Sequence, residues 1–369
     1  MRIGIDLSPL VHSGRRGIGA YARSLLTALG EVGPEHEYVL ISPTPVEGVR
    51  LPPHCIPWLL PHIPLGRGSA LVSHQAMLPI AARRARIDVL HVIDVPIVPS
   101  HPAAPLWKTV PLVITLHDLN PLHAPPLLRK RRWRAFYRFS LGLCRRADAL
   151  LVDSQASADD ALLARVGSRN RLFVAPLARP SCEGYGDPCV VLPSGPYGVH
   201  VGGDDWNKNR ENVLMAFLEV NAVEPFTLAL VGGGPPTLAG MPAAVRQRVS
   251  HYPWLEPAAL RCLYEHAAML IFPSRFEGFG LPILEAMAAG TPVITSNRGA
   301  TREVAGDAAL LVEPESVVDI AQAALRILDD ECLAHELRSR GRAREAQFDW
   351  TITARATLAA YRYAQQHPR

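Results

Sequence analysis

A chain of 369 residues is too long for one ordinary core and predicts about two domains. Its 48% hydrophobic and 20% charged residues can fill both cores and exclude a disordered or collagen-like chain, despite 34 prolines. Charge is uneven: residues 1–190 hold 22 Lys+Arg against 14 Asp+Glu, net +8, and the remainder 16 against 20, net −4, which together give the overall +4.

The opening, MRIGIDLSPL, meets Asp6 before any apolar run long enough for a signal peptide, and reads as a β-strand over 2–7. Further strands are expected at 38–42, 89–93, 113–117 and 149–154, with helical patterns between them, as at 18–29 and 128–144. After 171–175 the stretch PLARPSCEGYGDPCVVLPSGP, rich in Pro and Gly and without a period, reads as a linker and puts a boundary near residue 190. The second half repeats the theme, with strands at 197–202, 226–232, 269–273 and 291–296 and a helix at 317–328. Strands alternating with helices predict parallel sheets, so the fold class is α/β, with two Rossmann-like domains. Ligands of such sheets sit beyond the carboxyl ends of the strands, which directs the loops at 14–19, 117, 202–209, 232–235 and 277–281 to one cleft.

Other classes find less support. The apolar stretches at 112–116 and 267–272 fall far short of the roughly 20 residues that span a bilayer. Cys55, Cys144, Cys182, Cys189, Cys262 and Cys332 include no C-x-x-C pair, which argues against a zinc site or a disulfide framework and for a reducing cytoplasm. The basic first half suits an anionic partner, but 7% aromatics without interleaved Lys/Arg runs argue against nucleic acid.

The densest pattern is PSRFEGFGLPILEAMAAGTPVI, 273–294. Pro282 suits the first turn of a helix and Gly290 the residue past its end, which predicts a helix over 282–289. Ahead of it Gly278, Phe279 and Gly280 form a loop whose amides, with the helix dipole, make an anion site. Glu277 and Glu285 are acceptor-only carboxylates suited to vicinal hydroxyls of a sugar or ribose. Taken alone, Glu285 reads more readily as a dipole-favourable Glu in the helix's early turns.

FEGFGLPILEAMAAGTPVI, preceded by FPS and followed by REVAGDAALLVEP, resembles the signature region of retaining glycosyltransferase family 4, which has the two-domain glycosyltransferase B (GT-B) fold. RRGIGAYARSLLTAL, VITLHDL, LLVDSQASADDAL, HVGGDDWNKNRENVLMAF, LALVGGGP and FDWTITARATLAAYR agree in order, so the resemblance covers nearly the whole chain. It implies an acceptor domain at 1–190, a nucleotide-sugar domain at 191–350, and a C-terminal helix, 351–369, returning to the first domain. It places Glu285 on the donor's ribose hydroxyls and Glu277 on hydroxyls of the donor sugar. The amides of Phe279, Gly280 and Leu281 fall on the diphosphate and sugar, and Lys208 on the phosphates. Gly17 and Gly19 match an N-terminal loop facing the pyrophosphate, His117 the histidine beside the reacting sugar, and Trp254 with Leu255 the wall of the base. Each also has a plain structural reading: a solvated Lys208, a hydrogen-bonded turn at His117, tight-turn glycines, a core Trp254.

Departures are visible too. Many members of the family carry an Arg just before the phosphate Lys or a few residues earlier, where this chain has Asn207 and Gly203; Arg210, Arg275 and Arg298 are the candidate substitutes. Asp204 and Asp205 are adjacent rather than spaced by one, so they read as loop polar residues and no metal is expected. The helix RKRRWRAFYRFSLGLCRR, 129–146, sets Trp133, Phe136, Tyr137, Leu141 and Cys144 at 3–4 spacing among cations. It reads either as a packed surface helix with solvated charges or as a docking element for an anionic membrane, where lipid-linked acceptors reside.

The expected activity is therefore transfer of a hexose, mannose or glucose, from a GDP or UDP sugar to a glycan or lipid-linked acceptor, with retention. No cofactor beyond the nucleotide sugar is expected, and the location is cytoplasmic, peripheral to the inner membrane face if the basic helix docks. Two alternatives remain open at this point: a non-catalytic nucleotide-sugar-binding protein, and a nicotinamide-dependent oxidoreductase. The second is disfavoured because Gly14, Gly17 and Gly19 do not give G-x-G-x-x-G.

Overall fold

A computed structural model describes residues 1–8, 16–44, 55–60, 69–94, 105, 107–124, 131–180 and 190–369. The chain divides into two compact units, unit 1 (Met1–Pro180 with Asp349–Arg369) and unit 2 (Ser181–Phe348). Residues 181–189, the middle of the expected linker, with Cys182 and Cys189, lie outside the described residues, as does Gly14. Cys55, Cys144, Cys262 and Cys332 are free thiols.

Unit 1 is built on a seven-stranded sheet of β1 (Arg2–Asp6), β2 (Glu37–Ser42), β3 (Cys55–Leu59), β4 (Val89–Val92), β5 (Leu112–Leu116), β6 (Ala149–Val152) and β7 (Leu172–Val174). The order is β3-β2-β1-β4-β5-β6-β7, parallel throughout. Parallel strands are covered on both faces, so the central ones are unbroken apolar runs rather than alternating ones. LVITL at 112–116 is buried at every position, as is VLHV at 89–92. The covering helices are α1 (Arg16–Val32), α2 (Ser69–Arg84), α3 (Asn120–His123), α4 (Arg131–Cys144) and α5 (Gln155–Leu163).

Unit 2 holds a six-stranded parallel sheet of β8 (Tyr197–Val201), β9 (Thr227–Val231), β10 (Val249–Tyr252), β11 (Met269–Phe272), β12 (Val293–Ser296) and β13 (Leu310–Val312), in the order β10-β9-β8-β11-β12-β13. Its helices are α6 (Arg210–Asn221), α7 (Ala243–Arg246), α8 (Pro257–Glu265), α9 (Leu281–Ala289), α10 (Gly299–Ala305), α11 (Val317–Asp329) and α12 (Glu331–Glu345). The strand order reverses between β1 and β4 in unit 1 and between β8 and β11 in unit 2. At such a switch point, neighbouring strands send their loops in opposite directions and leave a crevice at the carboxyl ends.

The last helix, α13 (Trp350–Gln366), belongs to unit 1. Ala354, Leu358, Ala360, Tyr361 and Ala364 are buried along one face, and Asp349 caps it through the Thr351 amide. The buried Tyr361 hydroxyl lies 2.7 Å from Nδ1 of His91 on β4. His91 Nε2 lies 2.7 Å from Thr115 Oγ1 on β5, which in turn is 3.2 Å from the hydroxyl of Tyr21 on α1. This buried chain of polar groups ties two neighbouring strands to α13 and α1, which pack together on the same face of the sheet. Burial, with the nearby charge of His117, pushes His91 down to about 3, so its imidazole is neutral. Among the described residues no helix is long and apolar enough to cross a membrane.

Candidate functional site

In unit 2 the switch point brings together the loops after β8 and β11. The first, Gly202–Lys208, ends in a short 3-10 turn, Trp206–Lys208, and the second runs from Pro273 to Gly280. They meet where Lys208 Nζ donates to Glu277 Oε1 at 2.7 Å. The ammonium also stands 5.3 Å over the Phe272 ring. Gly202 makes room for the lysine stem, since a Cβ there would lie 2.9 Å from Lys208 Cγ and 3.0 Å from its Cβ.

After Glu277 the chain turns into α9. Gly280 is the N-cap at φ 106°, a left-handed conformation that glycine takes without strain, and Pro282 sits in the first turn. The helix begins at Leu281, one residue before the sequence predicts, so Leu281 belongs to the first turn rather than the loop. In the first turn of α9 Pro282 has no N–H and the Ile283 amide bonds the Gly280 carbonyl at 3.0 Å, which leaves the Leu281 amide as the one that needs a partner from outside the helix. Phe279 is buried, its ring edge-on to Phe348 at 5.8 Å, so a ligand can use only its backbone. Glu285 faces α8, where the Tyr264 hydroxyl donates to its Oε2 at 3.3 Å. Burial raises its carboxyl above the usual range, and the Tyr264 hydrogen bond opposes that rise. Trp254 and Leu255 lie in the loop between β10 and α8, at a strand's carboxyl end. Trp254 is 43% exposed, which removes its reading as a core residue.

The positions that lack the expected Arg have their own uses. Asn207 is buried and its Nδ2 donates to the Phe276 carbonyl at 3.2 Å, while its own carbonyl accepts from the Arg275 amide at 2.8 Å. It is a strut between the two loops. The candidate substitutes are all held by carboxylates. Arg210 bonds Asp204 and the Gly234 carbonyl, so Asp204 ties two glycine loops together and is not a plain loop residue. Arg275 pairs with Glu211 and Glu315 and lies over Trp206; Arg298 pairs with Glu313.

In unit 1, His117 follows β5 and Asp153 follows β6, side by side at strand ends. His117 Nδ1 is 2.8 Å from Asp153 Oδ2, and Nε2 is 3.0 Å from the Ile93 carbonyl. A carbonyl only accepts, so Nε2 carries a hydrogen, and the carboxylate calls for a second at Nδ1. Burial by itself would lower the imidazole's pKa. The charge and hydrogen bond of Asp153, helped by Asp94 and Asp118, raise it to about 9. Burial likewise holds the Asp153 carboxyl above its ordinary value against the pull of His117. The pair thus keeps a proton at neutrality. Tyr21 packs edge-on to the ring at 4.6 Å. Asp153 was not among the expected site residues; its signal is a lone carboxylate at the end of the apolar run ALLV, the position His117 occupies on the neighbouring strand.

Gly17 and Gly19 do not form a loop. Helix α1 begins at Arg16, so both stand in its first turns, with open space around Gly17. The basic helix α4 runs from Arg131 to Cys144, with Arg129 and Lys130 outside the described residues. Tyr137, Leu141 and Cys144 are buried, and Trp133 and Phe136 partly so. Arg131, Arg132, Arg134 and Arg138 are exposed, and none is ion-paired among the described residues. Phe139 beside them is 47% exposed.

Two doubly wound parallel units in one chain define the GT-B class of glycosyltransferase folds. Sucrose-phosphate synthase from Thermosynechococcus elongatus has a similar structure, with a TM-score of 0.73 at 21% identity over 98% of each chain. WaaG, a glycosyltransferase involved in lipopolysaccharide biosynthesis, gives 0.68 at 15% identity over 97% of this chain and 98% of that one. Residues 15–177 match the model described as Glycosyltransferase Family 4, and residues 195–330 that described as Glycosyl transferases group 1. The chain belongs to the family 4 type of glycosyltransferases. It is 28% identical over 317 residues to MMP alpha-(1->4)-mannosyltransferase of Mycolicibacterium hassiacum, covering 79% of this chain and 74% of that protein. It is 27% identical over 399 residues to glycogen synthase of Mycobacterium tuberculosis, covering 96% and 92%. With O-antigen chain mannosyltransferase B of Escherichia coli the identity is 42% over 100 residues, which is 27% of this chain and 26% of that relative's length.

Proposed function

We propose that this glycosyltransferase moves a hexose from a nucleoside diphosphate sugar to an acceptor hydroxyl, with retention at the anomeric carbon, in the synthesis of a bacterial surface polysaccharide or glycolipid. The observation that carries the reading is the Lys208–Glu277 pair at the switch point of unit 2, beside the amides that open α9 and within the same motif as Glu285. A cation beside the Leu281 amide and the loop that precedes it suits a diphosphate, and two carboxylates suit the hydroxyls on either side of it. Glu285 takes the ribose and Glu277 the sugar, with Trp254 and Leu255 near the base. Mannosyltransferases among the relatives favour GDP-mannose as donor. The reading needs no cofactor besides the nucleotide sugar.

In the reaction the bond between the anomeric carbon and the diphosphate oxygen breaks and the acceptor oxygen bonds to the same face of that carbon. A leaving diphosphate oxygen takes the acceptor's proton. Lys208 and the loop amides stabilise the charge that develops on the diphosphate. His117 has both ring hydrogens engaged, by Asp153 and by the Ile93 carbonyl, so with its proton held at neutrality it supplies a fixed positive charge rather than a base. The exposed arginines of α4 support docking of unit 1 on the anionic inner face of the cell membrane, with a glycan or lipid-linked acceptor on that unit.

The test is a donor panel of GDP and UDP sugars, with nucleotide release measured for each and the product's anomeric configuration read by proton NMR. Release with one donor and a retained configuration is expected. Donor binding without release from any member supports a non-catalytic binding protein instead, and an inverted product removes the same-face mechanism.

A further inference from the structure

Lys208 is the only lysine in unit 2 and one of three in the chain, against 35 arginines. A protein that meets nearly every need for positive charge with guanidinium has an ammonium at the cation that meets Glu277. The difference is chemical: an ammonium is a compact charge with three rotatable donors, so it can hold one carboxylate and still offer donors to another anion. The Lys208 and Glu277 side chains are 23% and 12% exposed, so salt screens the pair less than a surface pair. The lysine stem is hemmed by Gly202 and the ammonium by the Phe272 ring, which keeps the charge beside Glu277.

We propose that Glu277 discriminates between the donor and the spent nucleotide. The inference rests on the reading of Lys208 as the diphosphate's cation. A nucleoside diphosphate sugar presents to Glu277 the hydroxyls of its sugar, which are donors to an acceptor-only carboxylate. Once the sugar has gone, the diphosphate ends in a terminal phosphate that carries further negative charge at neutral pH and offers no hydroxyl donors. The same carboxylate, 2.7 Å from Lys208, then faces an anion and competes with it for the ammonium. One side chain therefore strengthens binding of the substrate and weakens binding of the product. The Lys208–Glu277 bond is the contact to which the site returns as the nucleotide leaves.

Glu277→Gln keeps the shape and removes the charge, and titration calorimetry with GDP and GDP-mannose, then UDP and UDP-glucose, reads both effects. The variant should bind the diphosphate about fivefold tighter and the nucleotide sugar about fivefold weaker, so that the ratio of the two affinities moves by more than about tenfold. Glu277→Ala should tighten the diphosphate in the same way, and the gain should shrink as salt is raised to about 0.5 M. Retained binding of the free nucleoside shows that each variant is folded. Affinities that move in the same direction for both ligands, or a ratio that does not move, overturn the proposal. Lys208→Ala separates this from the underlying reading. If it costs diphosphate affinity while Glu277→Gln brings no tightening, the discrimination alone fails. If wild type binds none of the four ligands, or Lys208→Ala costs nothing, the diphosphate reading fails and takes the discrimination with it.

Discussion

The two units differ most in how they use their charges. Unit 1 holds 25 Lys+Arg against 13 Asp+Glu, net +12, and unit 2 holds 13 against 21, net −8. The proposed diphosphate site nevertheless falls in the acidic unit. Net charge governs long-range attraction, whereas an anion site is made by a few oriented donors. In unit 2 the acidic residues hold the arginines in place, Arg210 by Asp204, Arg275 by Glu211 and Glu315, and Arg298 by Glu313, and Lys208 itself is held by Glu277. In unit 1 the arginines of α4 have no such partners among the described residues, which suits an extended anionic surface rather than a single ligand.

The contrast breaks most visibly on α4. Replacing Arg131, Arg132 and Arg134 by Gln should lower affinity for anionic vesicles about a hundredfold, at about 1 kcal/mol per cation near a charged surface. Nucleotide affinity should not change. Cosedimentation at two salt concentrations checks it, and wild type that stays in solution at the lower salt makes α4 a solvated surface helix. Next comes Lys208→Ala, which should cost about 1.5–3 kcal/mol in binding a nucleoside diphosphate and little for the free nucleoside. Equal losses for both would make the lysine structural. Glu285→Gln should weaken donor binding about tenfold, because a charged acceptor becomes a neutral amide. Unchanged affinity in calorimetry removes the ribose role.

Asp153→Asn should leave vesicle and nucleotide affinity almost untouched at neutral pH while shifting His117 from about 9 back toward the ordinary histidine value, read by NMR titration. The sign for stability follows. A histidine whose pKa is raised in the folded state stabilises below its unfolded pKa of roughly 6.5, and that contribution fades as pH rises through the folded value. Wild type should thus lose stability between about pH 6.5 and 9. The variant should lack that slope, and an identical slope in both proteins assigns the pH dependence to another group.

Most of the sheet was legible because buried parallel strands are continuous apolar runs. LVITL, ALLV and MLIF can hardly be anything else between Gly and polar loops. The strands that escaped, β3, β10 and β13, are all at sheet edges. An edge strand is covered less fully, and CIPWL and VSHY are partly exposed, so their apolar signal is weak. Pro57 can sit in β3 because an edge leaves one row of backbone groups unpaired. In the site, the motif around Glu277 and Glu285 was readable from Pro282 and Gly290, which punctuate α9. The partners were not: Asp153 beside His117, Tyr264 beside Glu285 and the strut at Asn207 arise from strands that are neighbours in space and distant in sequence. Gly17 and Gly19 read as a loop because glycine marks loops locally, yet they stand in the first turns of a helix that Ala20, Ala22, Arg23, Leu25, Leu26, Ala28 and Leu29 favour.

Unit 1 is made of two separate pieces of chain, with unit 2 inserted between Pro180 and Asp349. During synthesis the second unit is complete, and free to fold, before α13 has left the ribosome. Until then His91 lacks the Tyr361 hydroxyl and the apolar face that α13 covers is open. The nascent first unit therefore waits through the synthesis of an entire domain with Nδ1 of His91 open to water, and at about 5–20 residues per second the wait is on the order of ten seconds or more. Unit 1 therefore gains the helix α13 only after all of unit 2 has been made.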